Sequence, residues 1–179
     1  MTASPSRMLL AAALGGTALG TPAPAHPSGA GEVPAIVAEL AFRSEQGNAA
    51  LMRGDLQGYR AHVVIGDDFT LMSPFGGRPQ PPRRRTEEEW DAIARFFRNG
   101  SLRQDLLQSY ASADMVVLVL LEHAHAEVGG LPAQDWSLRV TLVYRREGPE
   151  WRLAHRHADP LAGGVTVTEA AALARRAAP

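Results

Sequence analysis

The sequence predicts an α+β domain in which N-terminal helices cover one face of an antiparallel sheet. Two observations carry this. Apolar residues recur at helical spacing up to about residue 97 and switch to strand-like alternation from about residue 102. The connections of the second half are short and rich in Gly and Pro, which favours a meander of four antiparallel strands. A chain of 179 residues is enough for one domain with a core of its own.

The first helix is expected from Val33 to about Arg53, where Ile36, Val37, Leu40, Ala41, Ala50 and Leu51 approximate one face. Gly54-Asp55 breaks it, and Asp55 is a plausible N-cap for a second short helix through Tyr59, His62 and Val63. Phe69 to Met72 is β-prone and closed by the turn cluster Pro74-Phe75-Gly76-Gly77. Residues 78–85, RPQPPRRR, read as a solvated basic linker, with a grip on an anionic ligand as the weaker alternative. Thr86 and Glu89 form a capping-box pattern ahead of a third helix carrying Trp90, Ile93, Ala94, Phe96 and Phe97, which Asn99-Gly100 should stop. Strands follow at Leu102–Ala111, Met115–Val128, Trp136–Arg146 and Trp151–His157. A tail helix from Glu169 to Arg176 closes the chain.

Composition excludes several chemistries. All 18 cations are arginine, so Schiff-base catalysis and a P-loop lysine are absent. Without cysteine there are no disulfides, thiolate nucleophiles or Cys-ligated zinc. A net charge of −1 argues against a nucleic-acid partner held by bulk charge.

The N-terminus carries Arg7 and then MLLAAALGGTALG, too short and glycine-rich for a permanent span. Ala23-Pro24-Ala25 fits a small-x-small cleavage site, so residues 1–25 read as a signal peptide, 26–32 as a flexible lead-in, 33–162 as the domain and 163–179 as a tail. With no twin arginine, the general secretory route is expected, giving a periplasmic or secreted protein that begins at His26 and has no membrane partner after cleavage.

Strand register then collects candidate site residues. A turn centred near Gly148 sets His157 opposite Arg139 and His155 opposite Thr141, and directly opposed side chains share a face. A turn centred near 131–132 adds Glu122 to that face; a slip of one residue would exchange it for His123 and His125. Polar groups on a helix-covered face persist either as an ion-paired core row or as the lining of a ligand cavity. As a lining, Arg139 would clamp an anion while His157 and Glu122 exchange protons. The alternating row Trp136, Leu138, Val140, Leu142, Tyr144 would then occupy the second face and mark a sheet-to-sheet homodimer.

The order of elements, with DDFTLMSPFGG (67–77), SLRVTLVYRREGPEW (137–151) and the ending at His155, His157 and Asp159, resembles the nuclear transport factor 2-like superfamily. It is most similar to the SnoaL-like and ketosteroid-isomerase-like members. The resemblance implies a cone-shaped, curved antiparallel sheet wrapped around the helices, with a pocket at its wide end. It implies pocket residues Arg139, Thr141, His155 and His157, with Tyr59 as a donor and Glu122 or Asp68 as a base, although no motif here fixes either role. Three functions follow: a proton-transfer isomerase, cyclase or lyase on a small, largely apolar molecule; a non-catalytic binder or dimerising module of the same fold; and a metalloprotein using His123-x-His125 and His155-x-His157. The first two need no cofactor.

Overall fold

The computed structural model describes residues 32–80, 82 and 84–175. The leader reading falls outside them. Three helices come first: α1 (Glu32–Met52), α2 (Leu56–His62) and, after strand β1 (Ile65–Met72), α3 (Glu87–Phe96). Strands β2 (Phe97–Ala111), β3 (Met115–Val128), β4 (Leu131–Glu147) and β5 (Glu150–Pro160) follow, and α4 (Val167–Arg175) ends the described chain. The caps read from the sequence are present. Asp55 accepts from the Gly58 amide at 2.8 Å, and Thr86 and Glu89 form a reciprocal capping box.

The strands make one curved, unclosed sheet in the order β1-β5-β4-β3-β2. The meander β2 to β5 is antiparallel as expected, but β1 is longer than expected and adds to β5 in parallel, with Thr70 beside His155 and Met72 beside His157. Asn99 and Gly100 do not stop a helix: α3 already ends at Phe96, and both residues lie inside β2 where its register shifts. Asn99 is in the left-handed region, and a Cβ on Gly100 would meet the His125 carbonyl at 2.8 Å and the Met52 carbonyl at 2.9 Å. Only glycine allows that close approach of strand, strand and helix.

The inner face, covered by the helices, carries Val116, Leu118 and Leu120 of β3 and Val140, Leu142 and Tyr144 of β4, packed under Leu40 of α1. A smaller cluster at the other end joins Met52, Ala124, Ala126 and Val128 with Phe97, Leu102 and Trp136 at its edge. The row Trp136–Tyr144 therefore faces the helices, which corrects the expectation that it forms a dimer surface. Two turns decide this. Gly129-Gly130, both at positive φ, make a two-residue hairpin turn, and Pro132-Ala133 on β4 then bulge opposite the single Glu127. Pairing runs Ala126↔Gln134 through Glu122↔Leu138, not Glu122↔Thr141. The side-chain period of two turns that offset into an exchange of faces.

At the other hairpin, a shift between Val143 and Tyr144 slides the pairs to Thr141↔His157 and Arg139↔Asp159. Arg139, Thr141, His155 and His157 still share a face, but it is the outer one.

Candidate functional site

The inner face carries one buried charge pair. Glu122 on β3 is 2% exposed, and both its oxygens are held by the Arg156 guanidinium of β5 at 2.8 and 2.7 Å, across the intervening β4. A planar guanidinium matches a carboxylate through two parallel bonds, which lysine cannot do. Gln104 of β2 donates to Glu122 Oε1 at 2.8 Å and to Ser44 Oγ of α1 at 3.0 Å, and Asn48 reaches the same hydroxyl at 3.4 Å. The network thus ties helix α1 to strands β2, β3 and β5.

Burial and charge set the protonation states. Burial alone would lower the Arg156 pKa, but the Glu122 charge and its hydrogen bonds outweigh that and raise it, so the arginine stays charged. Burial pushes the Tyr144 hydroxyl up to about 12 and raises Tyr59 as well. Both tyrosines are neutral at ordinary pH, so each hydroxyl remains a donor. Tyr59, placed by the Asp55-capped helix α2, packs on Trp90 of α3 with ring centroids 5.8 Å apart.

These groups border a cavity of about 500 Å³, within the size range of small-molecule sites. Its walls are mainly apolar: Leu51, Phe69, Ile93, Phe96, Trp136 and Leu138 contribute from four elements. Tyr59, Glu122 and Arg156 are among its polar lining groups. Phe75 stands at the rim, edge-on to Phe96 at 5.7 Å and to Trp136 at 6.2 Å.

Of the residues read from the sequence as site candidates, Glu122 and Tyr59 border this cavity and the other four do not. Arg139 pairs with Asp159, half in solvent. Thr141 and His157 lie opposite one another on the outer face. His155 Nδ1 meets the Thr70 hydroxyl at 2.7 Å. Glu122 and His157 therefore point to opposite sides of the sheet, and the reading that they share a hollow is corrected by the β4 bulge. Asp68, the other candidate base, pairs with Arg145 at 2.7 Å in an exposed position. The two His-x-His pairs also lie outside: His123 bonds Asp105 and Ser137, and His125 bonds Asp135. Among the described residues no three potential metal ligands converge.

Sequence reasoning missed Arg156, which sits between the two histidines it singled out. The available signal was the Trp136–Tyr144 row: so continuous an apolar row has to face the helices, and its register through the Gly148 turn puts residue 156, not 155 or 157, on that side. Gln104 carries no comparable signal, and Arg85 is marked only as part of the basic loop 78–85, where a grip on an anionic ligand is the weaker alternative.

A family model described as a SnoaL-like domain matches residues 44–162. The chain belongs to the SnoaL-like domain family. Among solved structures it is similar to an NTF2-like protein of unknown function in nutrient uptake from Rhodospirillum rubrum, at 25% identity over 69% of this chain and 98% of that one, TM-score 0.50. It is also similar to an NTF2-like superfamily protein from Salmonella enterica serovar Typhimurium, at 14% identity over 73% and 97%, TM-score 0.56. The association domain of C. elegans CaMKII matches at 12% identity over 72% and 98%, TM-score 0.52. The last two likenesses establish the fold alone. No curated protein matches the chain.

Proposed function

We propose that this chain is an exported pocket protein of the SnoaL-like type that holds a small, largely apolar molecule in the cavity between the helices and the inner sheet face. The supporting observation is the hollow of about 500 Å³ whose walls are mainly apolar and whose polar lining includes Tyr59 and the Glu122–Arg156 pair. An apolar cavity with a few convergent polar groups is the usual form of a small-molecule site. The uncharged fluorophore phenylnaphthylamine tests the reading. It should bind saturably at one site per chain, and Ala124→Trp, which fills the hollow from β3, should abolish binding while near-ultraviolet circular dichroism stays native. Binding that survives Ala124→Trp in a folded protein would refute it.

A proton-transfer role at the same site is the second reading, favoured by the Tyr59 hydroxyl and the Glu122 carboxylate bordering one cavity. Tyr59 would donate to a carbonyl oxygen as charge develops there, and Glu122 would carry the proton after parting from Arg156. Conversion of 3-cyclohexenone to its conjugated isomer, followed by ultraviolet absorbance, tests it; unchanged turnover in Glu122→Gln would refute it.

We place the mature protein in the periplasm or outside the cell on the strength of the leader pattern, with His26 as its first residue. Mass measurement of protein recovered from the extracellular or periplasmic fraction tests that assignment. Association domains are among the structures sharing this fold, and a homodimer through the outer sheet face is proposed in place of the inner row. Val117, Val119, Leu121 and Val143 are half-buried there.

A further inference from the structure

The basic loop before α3 contains a charge that the site described above does not use. Arg84 turns outward and pairs with Asp67 at 2.8 Å. Arg85 turns inward and borders the cavity. Its guanidinium stands 5.4 Å from the centre of the Trp90 ring and 5.9 Å from that of Phe69, and it donates to Gln80 at 3.0 Å. The Gln80 backbone is fixed in turn, its N–H donating to the Leu71 carbonyl at 3.0 Å. Two aromatic rings and the Gln80 side-chain carbonyl therefore hold Arg85 at the edge of an apolar hollow.

The two acids that border the same cavity are already engaged. Both oxygens of Glu122 belong to Arg156. Glu89 accepts the Thr86 amide at 2.9 Å in the capping box of α3. No carboxylate among the described residues lies within ion-pair distance of Arg85. Beside it, the chain of rings runs from Trp90 to Tyr59, whose neutral hydroxyl has no hydrogen-bond partner among the described residues and feels the positive charge of both Arg156 and Arg85. Arg156 spends two of the five N–H donors of a guanidinium on Glu122, and its side chain is 17% exposed. The polar lining of the cavity thus presents unused donors from three side chains and one unanswered positive charge.

We propose that the ligand is a small organic acid, with the acidic group received by Arg85 and the Tyr59 hydroxyl and the apolar body lying along Phe96, Trp136 and Leu138. This rests on the pocket reading above and narrows it to one chemical class. Charge-assisted hydrogen bonds in a site screened from water are the strongest polar contacts available to such a ligand.

A matched pair of probes tests it: anilinonaphthalene sulfonate, which carries an acidic group, and phenylnaphthylamine, the same ring system without one. The sulfonate should bind the native protein more tightly. Arg85→Met should weaken it by about 10-fold or more and leave the uncharged probe within about twofold. Arg85→Gln should do the same, guarding against a folding defect in the first variant. Arg78→Gln, which removes an equal charge from the exposed part of the loop, should change neither. Equal loss of both probes in Arg85→Met and Arg85→Gln, or undiminished sulfonate binding in them, overturns the organic-acid assignment while leaving the pocket reading intact. If neither probe saturates on the native protein, both readings fall.

Discussion

Removing Arg156 should be among the most costly single changes in this protein. In Arg156→Met the Glu122 carboxylate, 2% exposed, loses two charge-assisted bonds of 2.8 and 2.7 Å and keeps only the Gln104 amide. Breaking a buried pair from one side leaves an uncompensated charge and costs about 3–5 kcal/mol. With a urea m-value of about 2 kcal/mol/M, that lowers the unfolding midpoint by about 2 M. Glu122→Met should cost less, about 1–3 kcal/mol, because the stranded Arg156 is 17% exposed and can reach cavity water. The double variant Glu122→Met/Arg156→Met removes both charges together and should recover most of the loss, to within about 1 kcal/mol of the native protein. Urea denaturation of the four proteins, followed by circular dichroism, closes the cycle. A double variant whose loss equals the sum of the two singles would show that the charges are not coupled, and the account of the inner network would be wrong.

Other expectations follow from the same geometry. Tyr144 has its pKa raised by burial to about 12 against 10.0 for the free side chain. Between those values the unfolded chain has lost a proton that the folded chain retains, so stability should be level below about pH 10 and fall by roughly 2–3 kcal/mol as pH rises to about 12. Tyr144→Phe should flatten that fall in urea melts repeated across the range. Gly100→Ala forces a methyl against two carbonyls and should cost about 1–3 kcal/mol, whereas Gly148→Ala, at a positive φ in open space, should cost about 1–2 kcal/mol. Equal thermal shifts for Gly100→Ala and a surface control would argue against that packing. Val119→Arg on the outer face should convert a dimer to a monomer in light scattering, and a native protein that is already monomeric at micromolar concentration removes the dimer proposal.

Local signals in the sequence were read well where short-range chemistry decides the outcome. Asp55 and the Thr86–Glu89 pair cap helices because their side chains reach amides three residues away, and the four-strand meander follows from tight Gly-containing turns. The faces of the strands depended on something less local. One extra residue at Pro132-Ala133 puts Arg139 and His157 on the face opposite Glu122, and neither residue announces a bulge. The parallel pairing of β1 with β5 joins segments with no shared turn, so no loop length could reveal it. The site inherited that uncertainty. Glu122 and Tyr59 were recognisable as chemistry-bearing residues, while Arg156 was masked by the more conspicuous histidines on either side of it.

The pairing of β1 with the last strand also bears on how the chain acquires its shape. Thr70 must wait for His155, 85 positions later, before its edge of the sheet exists. Contacts so distant along the chain are closed late and slowly. A nascent chain halted anywhere before residue 150 can build its helices and the β2–β4 meander but cannot seat its first strand. The topology therefore delays completion of the sheet until β5, its last strand in sequence, has been made.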